Sequence, residues 1–337
     1  MSVTIRDVAK HAGVGIATVS RVLNGNPSVS EETRQRVLQT IEELHYTPNP
    51  IARRLSTGRT WTIGALVPFF TLPEFVKQLQ GIQHALSESA YDLVLFNIET
   101  LAQRDKYFLD LTKNNRVDGL LMLSISLSDD QMVAFQEAEI PVVLVDGHHP
   151  AASKVVMNHT LGGKQATEYL ISHAHRKIGF VSNTLDDPFH FIAPRQRYQG
   201  YRNALDVAGI PFREAYCRHD APGRERARAM GRSLLSQDDR PTAIFAASDT
   251  QAIGVIEAAR ELGLRVPQDV SVIGYGDLRD AEYLNLTTMH QPLFESGLEA
   301  VNLLLELIED PPESPLTIDL PISLVERSTV QHAQADI

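Results

Sequence analysis

Two stretches of contrasting texture predict a mixed α/β chain with a separate all-helical head. From Thr62 onward, short apolar runs alternate with amphipathic segments, the pattern of parallel sheets covered by helices on both faces. The runs are too many for one small sheet. Two doubly wound parallel-sheet subdomains are therefore expected, with a ligand crevice at the C-terminal ends of their strands. The first 60 residues carry no such runs; short helices closed by glycine or capped by serine make them a helix-turn-helix headpiece.

The headpiece reads in order. Ile5 to Ala12 is a helix closed by Gly13, and Ile16 to Leu23 is a second, closed at Asn24-Gly25. Val8, Ala9, Ala12, Val14, Val19, Val22 and Leu23 recur at helical spacing and give each helix a narrow buried stripe. Small residues in Ala12-Gly13-Val14 let the two helices cross steeply. Ile16, Ala17, Thr18, Ser20 and Arg21 are left outside on the second helix, a set suited to the DNA major groove. Arg21 can bond guanine through two donors, and Ile16 and Ala17 can meet a thymine methyl. Thr4, Thr18, Ser20, Asn24 and Ser30 are short hydrogen-bonding residues near helix ends, fit for phosphate oxygens. Arg6 sits where the first helix would approach the duplex. Ser30 caps a third helix with Glu31 and Glu32 in its first turn, and Val37, Leu38, Ile41 and Leu44 are expected to face the first two. Asn49 then caps a helix beginning at Pro50 and lasting about two turns, too short to hold its shape alone in water.

These residues carry a resemblance. Thr-Ile-Arg-Asp-Val-Ala from Thr4, Ala-Gly-Val from Ala12, Thr-Val-Ser-Arg-Val-Leu-Asn from Thr18, and Tyr-Thr-Pro-Asn followed by Ala-Arg-Arg-Leu resemble the headpiece of the lactose-repressor (LacI/GalR) family almost without gaps over residues 3–58. The resemblance implies that residues 49–56 form a hinge helix, paired across a dimer axis, with Leu55 wedged into the minor groove and Ala52 one turn before it. A wedged apolar side chain unstacks and kinks DNA. The chain departs from the family at Gly15, where a capping serine is common. Glycine caps at small cost but brings no hydroxyl.

The body elements follow. Strands are expected at Thr62–Val67, Leu93–Phe96, Gly119–Leu123, Val142–Val145, Val155–Met157, Ile178–Val181, Ala243–Ala246 and Val270–Ile273. Helices are expected near Pro73–Ser89, Ala102–Asn114, Asp129–Glu137, Gly162–Ala174, Arg195–Ala208, Arg224–Leu235, Thr250–Leu262 and Leu293–Ile308. The resemblance adds that this body is periplasmic-binding-protein-like. It would span residues 61–330 behind a headpiece of residues 1–58, with subdomain N about 61–159 and 291–320 and subdomain C about 160–290 and 321–330.

Residues just beyond the strands are the candidate effector site: Phe69, Ser124, Asp146, Ser248, Asp249 and Asp277, joined by Phe191, Arg195 and Arg197 around one loop and helix start. Arginine and carboxylates hold hydroxyls or planar polar groups, and an aromatic face packs on a ring. The resemblance places Arg197 on the family's effector-binding arginine and Arg226 near its aromatic over the ligand. The family's Gly-Tyr/Phe-Asp-Asp reads Gly274-Tyr275-Gly276-Asp277 here, one acid short. A sugar or sugar derivative is the expected effector, and fewer acids with one more cation favour an anionic or acidic-sugar one. No other cofactor is expected.

Composition excludes several classes. The chain has 337 residues, one cysteine and a net charge of −11. That rules out a disulfide framework and a cysteine zinc cluster. The charge is divided: residues 1–60 hold eight Lys/Arg and five Asp/Glu, so the head is net +3 and the remainder −14. Positive charge is thus confined to the part proposed to touch phosphate. No P-loop, nucleophile elbow or His-Glu-x-x-His occurs, and Gly162-Gly163-Lys164-Gln165 lacks the P-loop spacing. An enzyme is not expected. His148, His149, His173, His175 and His190 lack metal-site spacing. No export signal or membrane span is evident, so a cytoplasmic location is expected, and a transport-type sugar-binding protein is disfavoured. Leu303, Leu304, Leu305 and Leu307 belong to a body helix rather than a tetramerisation repeat, which favours a homodimer on a near-palindromic operator, switched by a small molecule.

Overall fold

The computed structural model describes residues 3–23, 26–46 and 59–334. It separates into two compact units, residues 1–60 and 61–337. In the first, α1 (Ile5–Ala12), α2 (Ile16–Leu23) and α3 (Glu31–Glu43) enclose a small core of Val8, Ala9, Ala12, Val19, Val22 and Val37. Gly13, at φ 65°, ends α1 in the left-handed conformation that glycine adopts without cost. Ser30 caps α3, its hydroxyl accepting from the Thr33 N–H. Leu38 was expected inside but is 43% exposed, and Thr40 is buried instead. The inward face of α3 runs Val37, Thr40, Ile41, Leu44, and Leu38 lies a quarter-turn away. Thr40 tolerates burial because its hydroxyl donates to the Arg36 carbonyl at 2.9 Å.

The second unit contains two six-stranded sheets. The first has the order β11 (Thr317–Leu320), β5 (Ser153–Met157), β4 (Val142–Val145), β3 (Gly119–Leu123), β1 (Thr62–Pro68), β2 (Asp92–Ile98), every pair parallel. The second has the order β12 (Ser323–Val325), β10 (Thr288–His290), β9 (Ser271–Gly276), β8 (Ala243–Ala246), β6 (Ile178–Asn183), β7 (Cys217–Asp220). Only β12 runs antiparallel to its neighbour. The chain passes from one sheet to the other after β5, after β10 and after β11.

Helices cover both faces of each sheet. On the first, α4 (Pro73–Leu86) and α12 (Leu293–Glu309) bury Phe75, Ile82, Val301 and Leu304 on one side. Helices α5 (Leu101–Asn114) and α6 (Asp129–Glu137) bury Phe108, Leu111, Met132 and Phe135 on the other. On the second, α7 (His159–Ser172) and α8 (Ile192–Val207) face α9 (Arg224–Leu235) and α10 (Asp249–Glu261) across the strands, and the short α11 (Arg279–Tyr283) follows β9. The central strands β3, β4 and β8 are buried along their whole length, as continuous apolar runs require. No described helix is long and apolar enough to cross a membrane.

Candidate functional sites

The headpiece site begins with what its core leaves uncovered. Val19 and Val22 turn α2 inward, and this forces Ile16, Ala17 and Arg21 to the surface. Ile16 is 46% exposed, as single surface hydrophobics often are. Thr18 and Ser20 are half-buried beside them, and Arg6, Thr4 and Ser30 are exposed. Thr4 holds the start of α1: its backbone N–H and its hydroxyl both donate to Asp7, at 2.9 and 2.7 Å. These bonds lower the Asp7 carboxyl below its ordinary value. Arg34 donates to the Asn26 carbonyl at 2.9 Å and ties the turn before α3 to that helix. Asn24, Asn49, Ala52 and Leu55, with the hinge segment 49–56, lie outside the described residues.

The second site lies between the two sheets of the body, at the ends of their strands. Phe69, Ser124 and Asp146 follow β1, β3 and β4, each with a positive φ that turns the chain sharply off the sheet. With Phe191, Arg197 and Ser248 they line a cavity of about 100 Å³. Phe69 meets Phe189 edge-on at 5.7 Å, and Phe189 stacks on Phe191 at 5.4 Å, so an aromatic wall closes one side.

Arg197 is placed by helix packing. Helices α7 and α8 touch backbone to backbone: a Cβ on Gly163 would stand 2.4 Å from the Arg197 carbonyl, and one on Gly200 2.2 Å from that of Thr160. Gly163, in the Gly162-Gly163-Lys164-Gln165 run that lacks P-loop spacing, therefore serves this crossing. The guanidinium lies 4.0 Å over the Tyr275 ring and donates to the Ala247 carbonyl at 2.6 Å and to Gln291 Oε1 at 3.3 Å. Its Nε is buried and has no acceptor. A donor in that state favours any ligand that brings an oxygen.

Behind Arg197 sits a buried polar chain. His159 Nδ1 lies 3.2 Å from the Tyr275 hydroxyl and 3.3 Å from an Arg197 nitrogen. Both neighbours are donors, so Nδ1 is the acceptor and Nε2 carries the proton, 3.4 Å from Asp146. Burial lowers the His159 pKa and keeps the ring neutral, against the opposing pull of Asp146. Asp146 accepts from the Met157 N–H at 3.0 Å. On the facing wall, Glu74 in the first turn of α4 is desolvated, which raises its carboxyl pKa, partly countered by the Arg197 charge.

Four expected residues lie outside the cavity. Arg195 is exposed and bonds the Leu185 carbonyl and Asp186, because two residues along α8 turn it about 200° away from Arg197. Arg226 projects outward from α9 and pairs with Asp220 at 3.8 Å. Asp249 is fully buried behind the site, accepting from Thr288 Oγ1 at 2.5 Å and from the Leu278 N–H at 2.7 Å. Asp277 binds Arg327 at 2.7 Å and His290 at 3.0 Å, joining the strand before one crossing to the segment after another. With Arg226 outside and Glu74 inside, the cavity holds acids on both sides of its single arginine. Arg226, expected as an additional cation beside the ligand, does not line the cavity.

Comparison with known proteins settles the family. A model described as "Bacterial regulatory proteins, lacI family" matches residues 4–49, and one described as "Periplasmic binding protein-like domain" matches residues 167–330. The HTH-type transcriptional repressor PurR of Yersinia pestis bv. Antiqua (strain Antiqua) is 38% identical over 334 residues, covering 97% of this chain and 96% of the repressor. The chain belongs to the lacI family of bacterial regulatory proteins. Among solved structures, the lac repressor dimer bound to operator and the anti-inducer ONPF superposes with a TM-score of 0.85 at 28% identity, covering 98% of this chain and 100% of that one. A transcriptional regulator CelR–cellobiose complex gives a TM-score of 0.73 at 32% identity, covering 97% and 99%. This lacI-family regulator thus has a helix-turn-helix head and a periplasmic-binding-protein-like body. Its relatives are transcriptional repressors.

Reading the sequence alone missed Glu74, His159, Tyr275 and Gln291. Nothing in the sequence sets Glu74 apart from other acids near a helix start, or His159 from other residues at an element boundary. The proximity of Tyr275 to Gly162, where a Cβ would meet its hydroxyl at 2.3 Å, has no local signature.

Proposed function

We propose that this regulator is a repressor that binds a near-palindromic operator as a homodimer and is switched by a small neutral polyhydroxylated effector in the cavity beside Arg197. The observation that carries the reading is the pairing, in one chain, of an exposed Ile16-Ala17-Arg21 face with a ligand-sized cavity whose arginine has an unanswered donor. Each subunit would read one half-site, with Arg21 on a guanine and Thr4, Thr18, Ser20, Asn24 and Ser30 on phosphates. Residues 1–58 act as the head and 61–330 as the body, divided into subdomains near residues 159, 290 and 320. The segment 49–56 folds as a hinge helix only when paired on bent DNA, with Asn49 capping it, Ala52 packing and Leu55 as wedge.

Within the cavity, Phe69 and Phe191 would pack on a ring, while Ser124, Asp146 and Ser248 meet hydroxyls. Arg195, Arg226, Asp249 and Asp277 act from outside it, on loop and strand geometry. Effector binding biases the closure of the two subdomains, and so the hinge. The protein acts in the cytoplasm and catalyses no reaction.

The test is selection of bound duplexes from a random pool by the full-length protein, followed by fluorescence anisotropy. A two-fold symmetric site should emerge. Arg21→Ala should weaken it by about 1–3 kcal/mol. Leu55→Ala should weaken the selected site while leaving random DNA nearly unaffected. Enrichment of no symmetric site, with or without added sugars, sinks the reading.

A further inference from the structure

The loop between β6 and α8 is held in shape by its own bonds. The Asp187 carboxylate accepts from the Phe189 N–H at 2.8 Å and from the Phe191 N–H at 3.1 Å. The Asp187 carbonyl accepts from the His190 N–H at 3.0 Å. An aspartate that turns back onto its own backbone in this way closes a tight turn, and Pro188 fixes one φ angle inside it. At the start of the loop, the Thr184 N–H donates to the Asp220 carbonyl at 2.9 Å. At its end, Arg195 reaches back from the first turn of α8 to the Leu185 carbonyl and to Asp186.

What this loop carries is Phe189. Each apolar cluster of the body belongs to one sheet and its helices. Among the described residues packed on those clusters, Phe189 alone crosses over. It follows β6 of the second sheet, yet it packs on the cluster of the first sheet that contains Phe96, Met122 and Leu127. Phe69, just beyond β1, meets it edge-on, and Phe191 backs it with ring planes 8° apart. Parting the two subdomains strips this ring of its apolar seat and of an aromatic partner, and water is a poor substitute for either.

We propose that loop 184–191 is a latch between the subdomains: Phe189 seats on the core of the first sheet and holds the crevice closed, and Arg195 is the residue that positions the loop. The latch works whatever occupies the cavity. It therefore sets the resting balance between open and closed bodies on which any ligand then acts. It also gives a role to Arg195, whose bonds all go to this loop.

Pulsed electron spin resonance on the full-length protein reads the separation of the subdomains. Spin labels go on Leu109→Cys in α5 and Val207→Cys in α8, positions that are 56% and 74% exposed. Cys217→Ser removes the native thiol, and singly labelled protein supplies any distances between protomers. The distance between labels should be narrowly distributed in this background. In Phe189→Ala it should broaden and lengthen by about 2 Å or more, the scale of a domain rearrangement. Arg195→Ala should shift it the same way, and Phe189→Leu, which keeps an apolar side chain, should shift it less. Hydrogen exchange in the buried strands β3 and β8 should stay unchanged in each variant, which separates unlatching from unfolding. If Phe189→Ala does not fold, Asp187→Ala loosens the same loop and takes its place. An unchanged distance in Phe189→Ala overturns the latch, as does a longer distance accompanied by lost protection in β3. An unchanged distance in Arg195→Ala alone overturns the positioning role.

Discussion

Asp249 shows what a single residue contributes to this site without touching it. Burial raises its pKa to about 6, against the bonds it accepts from Thr288 and the Leu278 N–H. A carboxyl whose folded pKa lies above its unfolded value binds more protons in the native state, so stability falls as pH rises from about 4 to about 6 and then levels off. The shift corresponds to about 3 kcal/mol. Chemical denaturation of Asp249→Asn should lose that part of the pH slope and show equal or greater stability at pH 7. An unchanged slope would place the titration elsewhere. Among the site residues, Phe69, Ser124, Asp146 and Ser248 were legible in the sequence because each follows an apolar run, and Arg197 through the resemblance. Arg226 was misplaced because a loop before a helix fixes no rotation about the helix axis. Glu74 and His159 were hidden because their roles arise only when α4 and α7 are brought to one cavity.

At the scale of elements, the crossing of α7 and α8 decides where the guanidinium stands. Gly163 and Gly200 allow a backbone approach that any side chain would block. Gly200→Val should cost about 1–3 kcal/mol or more, as overpacking does. The surviving protein should lose sugar affinity, because α8 carries Arg197. Full stability with full affinity in a thermal-shift titration would refute this. The long buried strands were read correctly from their apolar runs, as were the helices that separate them. Strands β7, β10, β11 and β12 were not. They are three or four residues long, and sequences such as Cys217-Arg-His-Asp lack both alternation and a continuous apolar run. Such edge and crossing strands owe their shape to a neighbour already in place.

At the scale of the molecule, the two units differ in size and charge. Among the described residues, the head has a core of six buried apolar side chains, and the body carries four larger clusters. Calorimetric melting without DNA should show two transitions, and a bound sugar should raise only the upper one, by about 2.7 kcal/mol of added stability at a hundredfold excess over Kd. A single transition moved as a whole by the ligand would instead make head and body one cooperative unit. The division of charge was legible in the sequence, and it implies that specific DNA affinity falls by roughly a thousandfold or more between 50 and 200 mM salt if six or more phosphates are contacted.

The threading of the chain through the body has a bearing on synthesis at the ribosome. The first sheet is built from residues 62–157, yet one face is roofed by α12 and its last edge is supplied by β11. Val301, Leu303 and Leu304 emerge only after the whole second sheet up to β10 has been translated. The nascent protein therefore carries a finished head and an open, oily sheet face for the time it takes to make some 140 further residues, a window in which a holding chaperone has something to grip.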